Sequence, residues 1–346
     1  RVVFLHDIED GGQAGGRGQV VQIVVQVLEV HPARLEQDLL LLLGHQRTVG
    51  AAAVAECDRE IFLDEDEFLF VVQHAAVGKT VTVGASDILA MNATPSQITV
   101  SLGVSSKIPV EALQDLYEGI AFACRELEID LVGGDTRASM TGLVITVTTL
   151  GHAPHERIVY RSGAQLHDLI CLTGNLGAAY MGLQLLEREK RVLADVKNPE
   201  PQFKGYEYLL EKYLKPRPRT DIVEALLEEK ITPTSMIDLT DGLASDLMQL
   251  CKASKCGARI YLDRIPIARQ TTALAEEMHT DPVIAVLNGG EDYELLFTVP
   301  LAMQEQVMRL GLVDVIGHIT AEATGAYLVT PDGGEIRLKA QGFPEK

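Results

Sequence analysis

The sequence predicts a mixed α/β protein in two halves, and three observations carry that prediction. Its 346 residues exceed the usual size of one compact domain, and 47% of them are hydrophobic, enough to fill more than one core. From residue 80 onward, apolar runs with strand and helix periodicity alternate, with no short-period repeat. Gln97 to Val104 reads as a strand. Val110 to Leu127 reads as a helix, with Leu113, Leu116, Ile120, Cys124 and Leu127 along one stripe. Leu143 to Leu150, rich in Val, Ile and Thr, reads as the next strand. Gly151 to Gly163 then resembles a connector, which places the expected domains at 1–150 and 151–346. After it come a strand from Asp168 to Thr173, a helix from Ala178 to Leu186 and a polar, Pro-containing stretch from Asn198 to Thr220. A helix follows Asp241, and Arg259 to Ile265 and Tyr293 to Val299 complete the set of strands.

Residues 1 to 78 have a different texture. A Gly-rich opening from Gly11 to Gly18 precedes Val20 to Val30, which reads as a buried strand, and Leu39 to Leu43, which reads as part of a helix; the acidic Asp64 to Glu67 follows. Gly78-Lys79-Thr80 resembles the end of a phosphate-binding P-loop, but Gln73 occupies the place of the required glycine.

Composition narrows the function. Acidic residues outnumber basic ones 49 to 30, for a formal charge of −19, and no Lys/Arg run offsets it, so nucleic acid and anionic membranes are excluded as expected partners. The sequence shows neither a membrane-length apolar run nor the basic-then-apolar order of a signal peptide. Cys57, Cys124, Cys171, Cys251 and Cys256 lie scattered, without a C-x-x-C pair or zinc-spaced histidines, which predicts a reducing, cytoplasmic setting. An acidic chain that handles phosphates needs a bridge between like charges, and Mg²⁺ held by carboxylates is the usual one.

Four segments offer such carboxylates, each beside glycine or another small residue where the pattern puts the end of a strand, the place at which α/β proteins collect ligands. They are Ala85-Ser86-Asp87-Ile88, Val132-Gly133-Gly134-Asp135-Thr136, Asp238-Leu239-Thr240-Asp241-Gly242 and Gly289-Gly290-Glu291-Asp292-Tyr293-Glu294. Paired glycines let backbone N–H groups approach a phosphate, and the Thr240 hydroxyl is suited to a phosphate oxygen. Arg161-Ser162-Gly163 supplies a planar guanidinium for bidentate phosphate contact. Thr173-Gly174-Asn175-Leu176-Gly177 leads into a helix whose first N–H groups suit an anion. Each segment alone also has a plain structural reading: Asp241 and Asp87 as helix caps, Gly133-Gly134 as a turn, Arg161 as a surface residue, and Thr173 to Gly177 as an ordinary strand-to-helix turn.

Taken in order, these blocks resemble the thiamine-monophosphate kinase family, of the aminoimidazole ribonucleotide synthetase-like superfamily. The resemblance rests on Ser86-Asp87-Ile88 with Ala90-Met91-Asn92-Ala93-Thr94-Pro95, Gly133-Gly134-Asp135-Thr136, Arg161-Ser162-Gly163-Ala164 and Thr173 to Gly177. It continues through Pro216-Arg217-Pro218-Arg219, Asp238 to Leu243, Gly289 to Leu295 and Gly317-His318-Ile319-Thr320, and spans about residues 80–346. It implies transfer of the ATP γ-phosphate directly onto the phosphate of thiamine monophosphate, with several Mg²⁺ ions and no phosphoenzyme. By the same resemblance Asp87, Asp135, Asp238 and Asp241 are metal ligands. Gly134, Asp135, Arg161 and Thr240 contact ATP, and Glu291 and Phe343 contact the substrate. The implied fold has two α/β domains. The N-terminal sheet pairs across a homodimer, and the C-terminal domain is an α/β sandwich.

One departure counts against full activity. Ahead of the Ser-Asp-Ile block the family pattern has Gly-Asp-Asp-Ala-Ala, Thr-Thr-Asp and Gly-Val-His-Phe-like stretches, which residues 1 to 78 lack, and Gly84 stands where the family has asparagine. The expectation is that this segment is not the family's own. The competing readings are a catalytically impaired protein that binds nucleotide or thiamine phosphate, or another ATP-using member of the superfamily.

Overall fold

The computed structural model describes residues 2–6, 20–29, 78–140, 143–193 and 201–340. Two mixed sheets organise them. The first runs β1-β2-β5-β3-β4, with β1 at Val2–His6, β2 at Val20–Glu29, β3 at Thr94–Val104, β4 at Asp130–Ala138 and β5 at Val144–Pro154. β5 pairs antiparallel with both β2 and β3, whereas β3 and β4 are parallel. A parallel pair requires a crossover, and the Val110–Glu126 helix provides it. Its buried stripe of Leu116, Ile120, Ala123 and Cys124 packs on Ile98, Val100, Leu102, Ile145 and Val147, as the periodicity predicts. β5 continues through Pro154, past Leu150, so the connector expected from Gly151 begins as strand.

The second sheet runs β12-β11-β8-β10-β6-β9-β7. Its strands are β6 (Leu169–Thr173), β7 (Ser235–Asp238), β8 (Cys256–Tyr261), β9 (Leu295–Val299), β10 (Val313–Ala321), β11 (Ala326–Val329) and β12 (Glu335–Arg337). Every residue of β6, β7 and β9 is buried, because both faces of the sheet are covered. Ile170 and Leu172 face a core with Leu243, Leu247 and Leu250 of the Leu243–Ser254 helix. Leu169 and Cys171 face the opposite core, with Ile222, Val223 and Leu226 of the Thr220–Glu228 helix. The period-two alternation of a strand divides them this way.

The elements that departed from expectation have local causes. β9 starts at Leu295 rather than Tyr293, because Tyr293 has a φ of +52°, outside the extended region. The polar stretch from Asn198 to Thr220 contains a helix at Glu207–Leu214 that buries Leu209 and Leu210. β8 ends at Tyr261, before the expected Ile265, and the helix from Ala178 runs on to Leu193. The strand expected from Val20 appears as β2, whereas Leu39 to Leu43 and Asp64 to Glu67 lie outside the described residues.

One helix, residues 78–89, joins the two sheets. Every residue from 80 to 93 is buried. Val81 and Ala85 join the core of the first sheet, Leu89 and Ala90 join a core of the second, and Val83 and Ile88 meet Ala153 and Tyr293 between them. Asp87 lies in the last turn of this helix and not at the strand end expected for it.

Candidate functional site

The site grows from two loops that interlock. β7 ends at Asp238, and the chain turns through Leu239, Thr240 and Asp241 into the Leu243–Ser254 helix. Gly290 to Glu294 lies against this turn: Leu239 N–H donates to the Glu294 carbonyl at 2.8 Å, Tyr293 N–H to Leu239 at 2.9 Å and Glu291 N–H to Thr240 at 2.9 Å. Two glycines make the approach possible. Gly242 (φ +105°) and Gly290 (φ +72°) each adopt a backbone conformation that side-chain-bearing residues avoid; a Cβ on Gly290 would strike the Thr240 backbone, and one on Gly242 the backbone of Leu287 and Asn288 just before the second loop. The helix begins at Gly242 with no side-chain cap, so Asp241 is not the cap its position suggested. The carboxylate of Asp246, one turn on, instead accepts the N–H groups of Thr240 and Asp241 at 2.8 and 3.0 Å. Burial pushes its pKa up to about 7 against those two hydrogen bonds, and the neighbouring charges of Asp238 and Asp241 push the same way.

The joining helix brings a third strand of the site. Ser86 donates its hydroxyl to Asp238 Oδ2 at 2.8 Å, with Asp87 next to it and only 4% exposed. At the other end of the helix, Lys79 Nζ lies 2.5 Å from Glu291 Oε2. Asp238, Thr240, Asp241 and Glu291 therefore lie on the two interlocked loops, and Asp87 is the chain neighbour of the Ser86 that bonds Asp238. Arg161 packs along the Leu243–Ser254 helix, where its guanidinium donates to Gln249 Oε1 at 3.4 Å and its carbonyl accepts from Ser254 Oγ at 3.1 Å.

Asp135 and Gly134 stand apart from this junction. The sequence reading placed them at a strand end; they lie inside β4, all nine residues of which are exposed. Gly134 allows the neighbouring strand close, since a Cβ there would meet the Val100 carbonyl. The Asp135 carboxylate pairs with Arg137 Nε on its own strand at 2.5 Å, and that hydrogen bond holds its carboxyl below the usual range. Phe343 lies outside the described residues.

Carboxylate and hydroxyl oxygens are the donors that suit Mg²⁺, which takes one or two protein carboxylates and completes its shell with phosphates and water. The donor set at the junction fits that chemistry. Among the described residues no group of three or more His, Cys, Asp or Glu is placed to hold a metal ion.

The turn from Thr173 to Gly177 corrects another expectation. Its helix N-terminus does bind an anion, but the anion is the chain's own: Asp292 accepts from Gly177 N–H at 2.9 Å and Ala179 N–H at 3.5 Å. Burial raises Asp292 to about 7 despite those donors. Glu294, 2% exposed, is equally structural. It accepts from Thr173 Oγ1 at 2.8 Å, Lys212 Nζ at 3.2 Å and Arg219 at 2.6 Å. A buried carboxylate needs such partners. Reasoning from sequence missed Lys79, Asp246, Asp292 and Glu294 as organisers of the site; their signal was helical spacing to Asp87 and Asp241 and adjacency to Glu291. A hollow of about 340 Å³ beside Tyr206 and Glu277 holds none of these residues.

Comparison with known proteins identifies the family. The family model of the AIR synthase related protein N-terminal domain matches residues 59–153, and that of the C-terminal domain matches residues 167–329. The first match begins inside the segment that the sequence pattern set aside. Thiamine-monophosphate kinase of Buchnera aphidicola is 34% identical over 274 residues, covering 77% of this chain and 78% of its own length. The enzyme of the same name from Escherichia coli is 34% identical over 273 residues, with the same coverage. A solved structure described as AaThiL complexed with AMPPCP and TMP superposes with a TM-score of 0.67 at 23% identity, covering 93% of this chain and 86% of that one.

Proposed function

The chain belongs to the thiamine-monophosphate kinase family, built on paired AIR synthase related domains, and from that premise we propose that it transfers the γ-phosphate of ATP directly onto the phosphate of thiamine monophosphate. The observation that carries the proposal is the interlock at the junction, where the Asp238-Thr240-Asp241 turn is bonded to the Glu291 loop and to Ser86. These bonds support a reading in which the turn handles phosphate and Glu291 meets the substrate. A relative's binding of AMPPCP and TMP supports the same pair of ligands here.

The reaction joins two anions, so positioning and charge compensation must supply most of the rate. Mg²⁺, held by Asp87, Asp238 and Asp241, and by Asp135 at the nucleotide, would neutralise the phosphates when bound. The Thr240 hydroxyl and the Gly134 backbone orient ATP, and Arg161 approaches it from the helix side. Asp246 keeps the turn in its productive shape by holding two of its N–H groups. Glu291 contacts thiamine monophosphate, and Phe343 stacks on its ring. Exclusion of water follows from the burial of the joining helix, of which no residue from 80 to 89 is exposed.

We further infer a homodimer. The open edge of β4, with Leu131 and Val132 exposed at 39% and 51%, is a surface that proteins usually cover, and a second copy would cover it. The functional reading is tested by incubating the chain with Mg-ATP and thiamine monophosphate and following ADP and thiamine diphosphate. Binding without product would replace the kinase with a binding protein, and turnover only with another acceptor would move the chain to a different branch of the superfamily.

A further inference from the structure

We infer that Lys79 is a positioning residue for substrate recognition, acting through Glu291; the inference rests on the functional reading above and goes beyond it. The joining helix carries a polar stripe at positions 79, 82 and 86, the three-and-four spacing that places side chains on one face. All three reach the second half of the molecule. Lys79 Nζ donates to Glu291 Oε2 at 2.5 Å and to the Tyr213 carbonyl at 3.2 Å. Thr82 Oγ1 donates to the Pro216 carbonyl at 3.2 Å, and Ser86 Oγ to Asp238 Oδ2 at 2.8 Å. Polar groups inside a fully buried helix are costly unless each finds a partner, and these partners include both functional ends of the junction.

Lys79 is the most committed of the three. Its side chain is 12% exposed against 44% for Glu291, and its ammonium sits 4.2 Å from the centre of the Tyr213 ring. The cation is therefore fixed from three sides, while the carboxylate it holds faces solvent. Glu291 itself sits on a backbone with φ +61°, pinned to Thr240 by its own N–H. Lys79 takes Oε2 and leaves Oε1 without a hydrogen bond among the described residues. The carboxylate is thus oriented but still has an acceptor to offer. Ser86 fixes Asp238 in the same way seven residues along the helix, about 10 Å at 1.5 Å per residue. One rigid element sets the separation between the carboxylate that meets the organic part of the substrate and the carboxylate that meets phosphate chemistry.

The test compares K79M, which keeps the stem and removes the charge, with K79R, which keeps the charge. Steady-state kinetics would give kcat and KM for both substrates, and calorimetry would give the affinity for thiamine monophosphate without ATP. K79M is expected to raise KM and Kd for thiamine monophosphate roughly three- to tenfold, the scale of ordering one flexible side chain. KM for ATP should stay within about twofold, and K79R should recover most of the loss. In an E291Q background, K79M should add little further change, because the effect passes through Glu291. The inference is overturned if K79M leaves the thiamine monophosphate constants unchanged. It is overturned equally if both KM values and kcat worsen together with the melting temperature, the mark of a merely structural tie. K79Q carries the same comparison should K79M not fold. A wild-type chain that neither binds nor phosphorylates thiamine monophosphate defeats the functional reading itself. A wild-type chain that does both, with K79M like wild type, defeats only the role of Lys79.

Discussion

Asp238 is 1% exposed at the end of a strand whose every residue is buried, whereas Asp135 lies on a strand whose every residue is exposed. The first carboxylate is held by the Ser86 hydroxyl across the two halves of the molecule; the second is held only by Arg137, two residues along its own strand. Both belong to the same family pattern, yet their surroundings differ in kind. The buried loop pair is shaped by backbone hydrogen bonds and two obligatory glycines before a ligand binds. The β4 edge carries its carboxylate in the open. Preorganisation is therefore concentrated in the buried loop pair and not at the β4 edge.

The strongest challenge to that contrast is Asp135→Asn. Removing the charge at the open edge should abolish most turnover, roughly 10²–10³-fold in kcat, without a measurable change in melting temperature, because the side chain supports nothing else in the fold. An unchanged rate would reject Asp135 as a ligand and leave the site in one half only.

A pair of glycine substitutions sharpens the same comparison through stability. Gly290→Ala forces a Cβ into the Thr240 backbone at φ +72° and should cost roughly 2–4 kcal/mol in denaturant unfolding. Gly133→Ala meets no atom within 4 Å and should change stability by no more than about 0.5 kcal/mol. Equal losses would show that the loops are not interlocked as described.

The smallest effect is one of pH. Asp292 and Asp246 are each raised to about 7 by burial, so the folded protein keeps protons that the unfolded chain has released above pH 4. Stability should fall as pH rises from about 4 to 7, by up to about 1.4 kcal/mol per unit for each group, and level off above 7. Asp292→Asn should roughly halve the slope of melting temperature against pH between 5 and 7. An identical slope in the variant would place the titration elsewhere.

Much of the chain from residue 94 onward was legible from sequence because its elements obey simple periods. The Val110–Glu126 helix is amphipathic and half-buried, and β6 is a short apolar run between turn signals. The helix at 78–89 was not legible, because burial from residue 80 onward leaves no solvent-facing charged side by which helices are recognised, and its β-branched Val81, Thr82 and Val83 suggest a strand. β4 was hidden for the opposite reason: an exposed edge needs no apolar alternation, and Gly133-Gly134 resembles a turn. The aspartates of the site were visible as residue types beside glycines. Their supports were not, since Lys79 and Glu291, or Ser86 and Asp238, meet across more than 150 positions of chain, a separation that no local pattern encodes.

The central claim is that this junction transfers a phosphoryl group between two phosphates. Purified chain mixed with Mg-ATP and thiamine monophosphate, resolved by chromatography, should yield ADP and thiamine diphosphate in equal amounts, and no ADP beyond background when thiamine monophosphate is omitted. ATP consumed without thiamine diphosphate, or both substrates bound with neither changed, would contradict it.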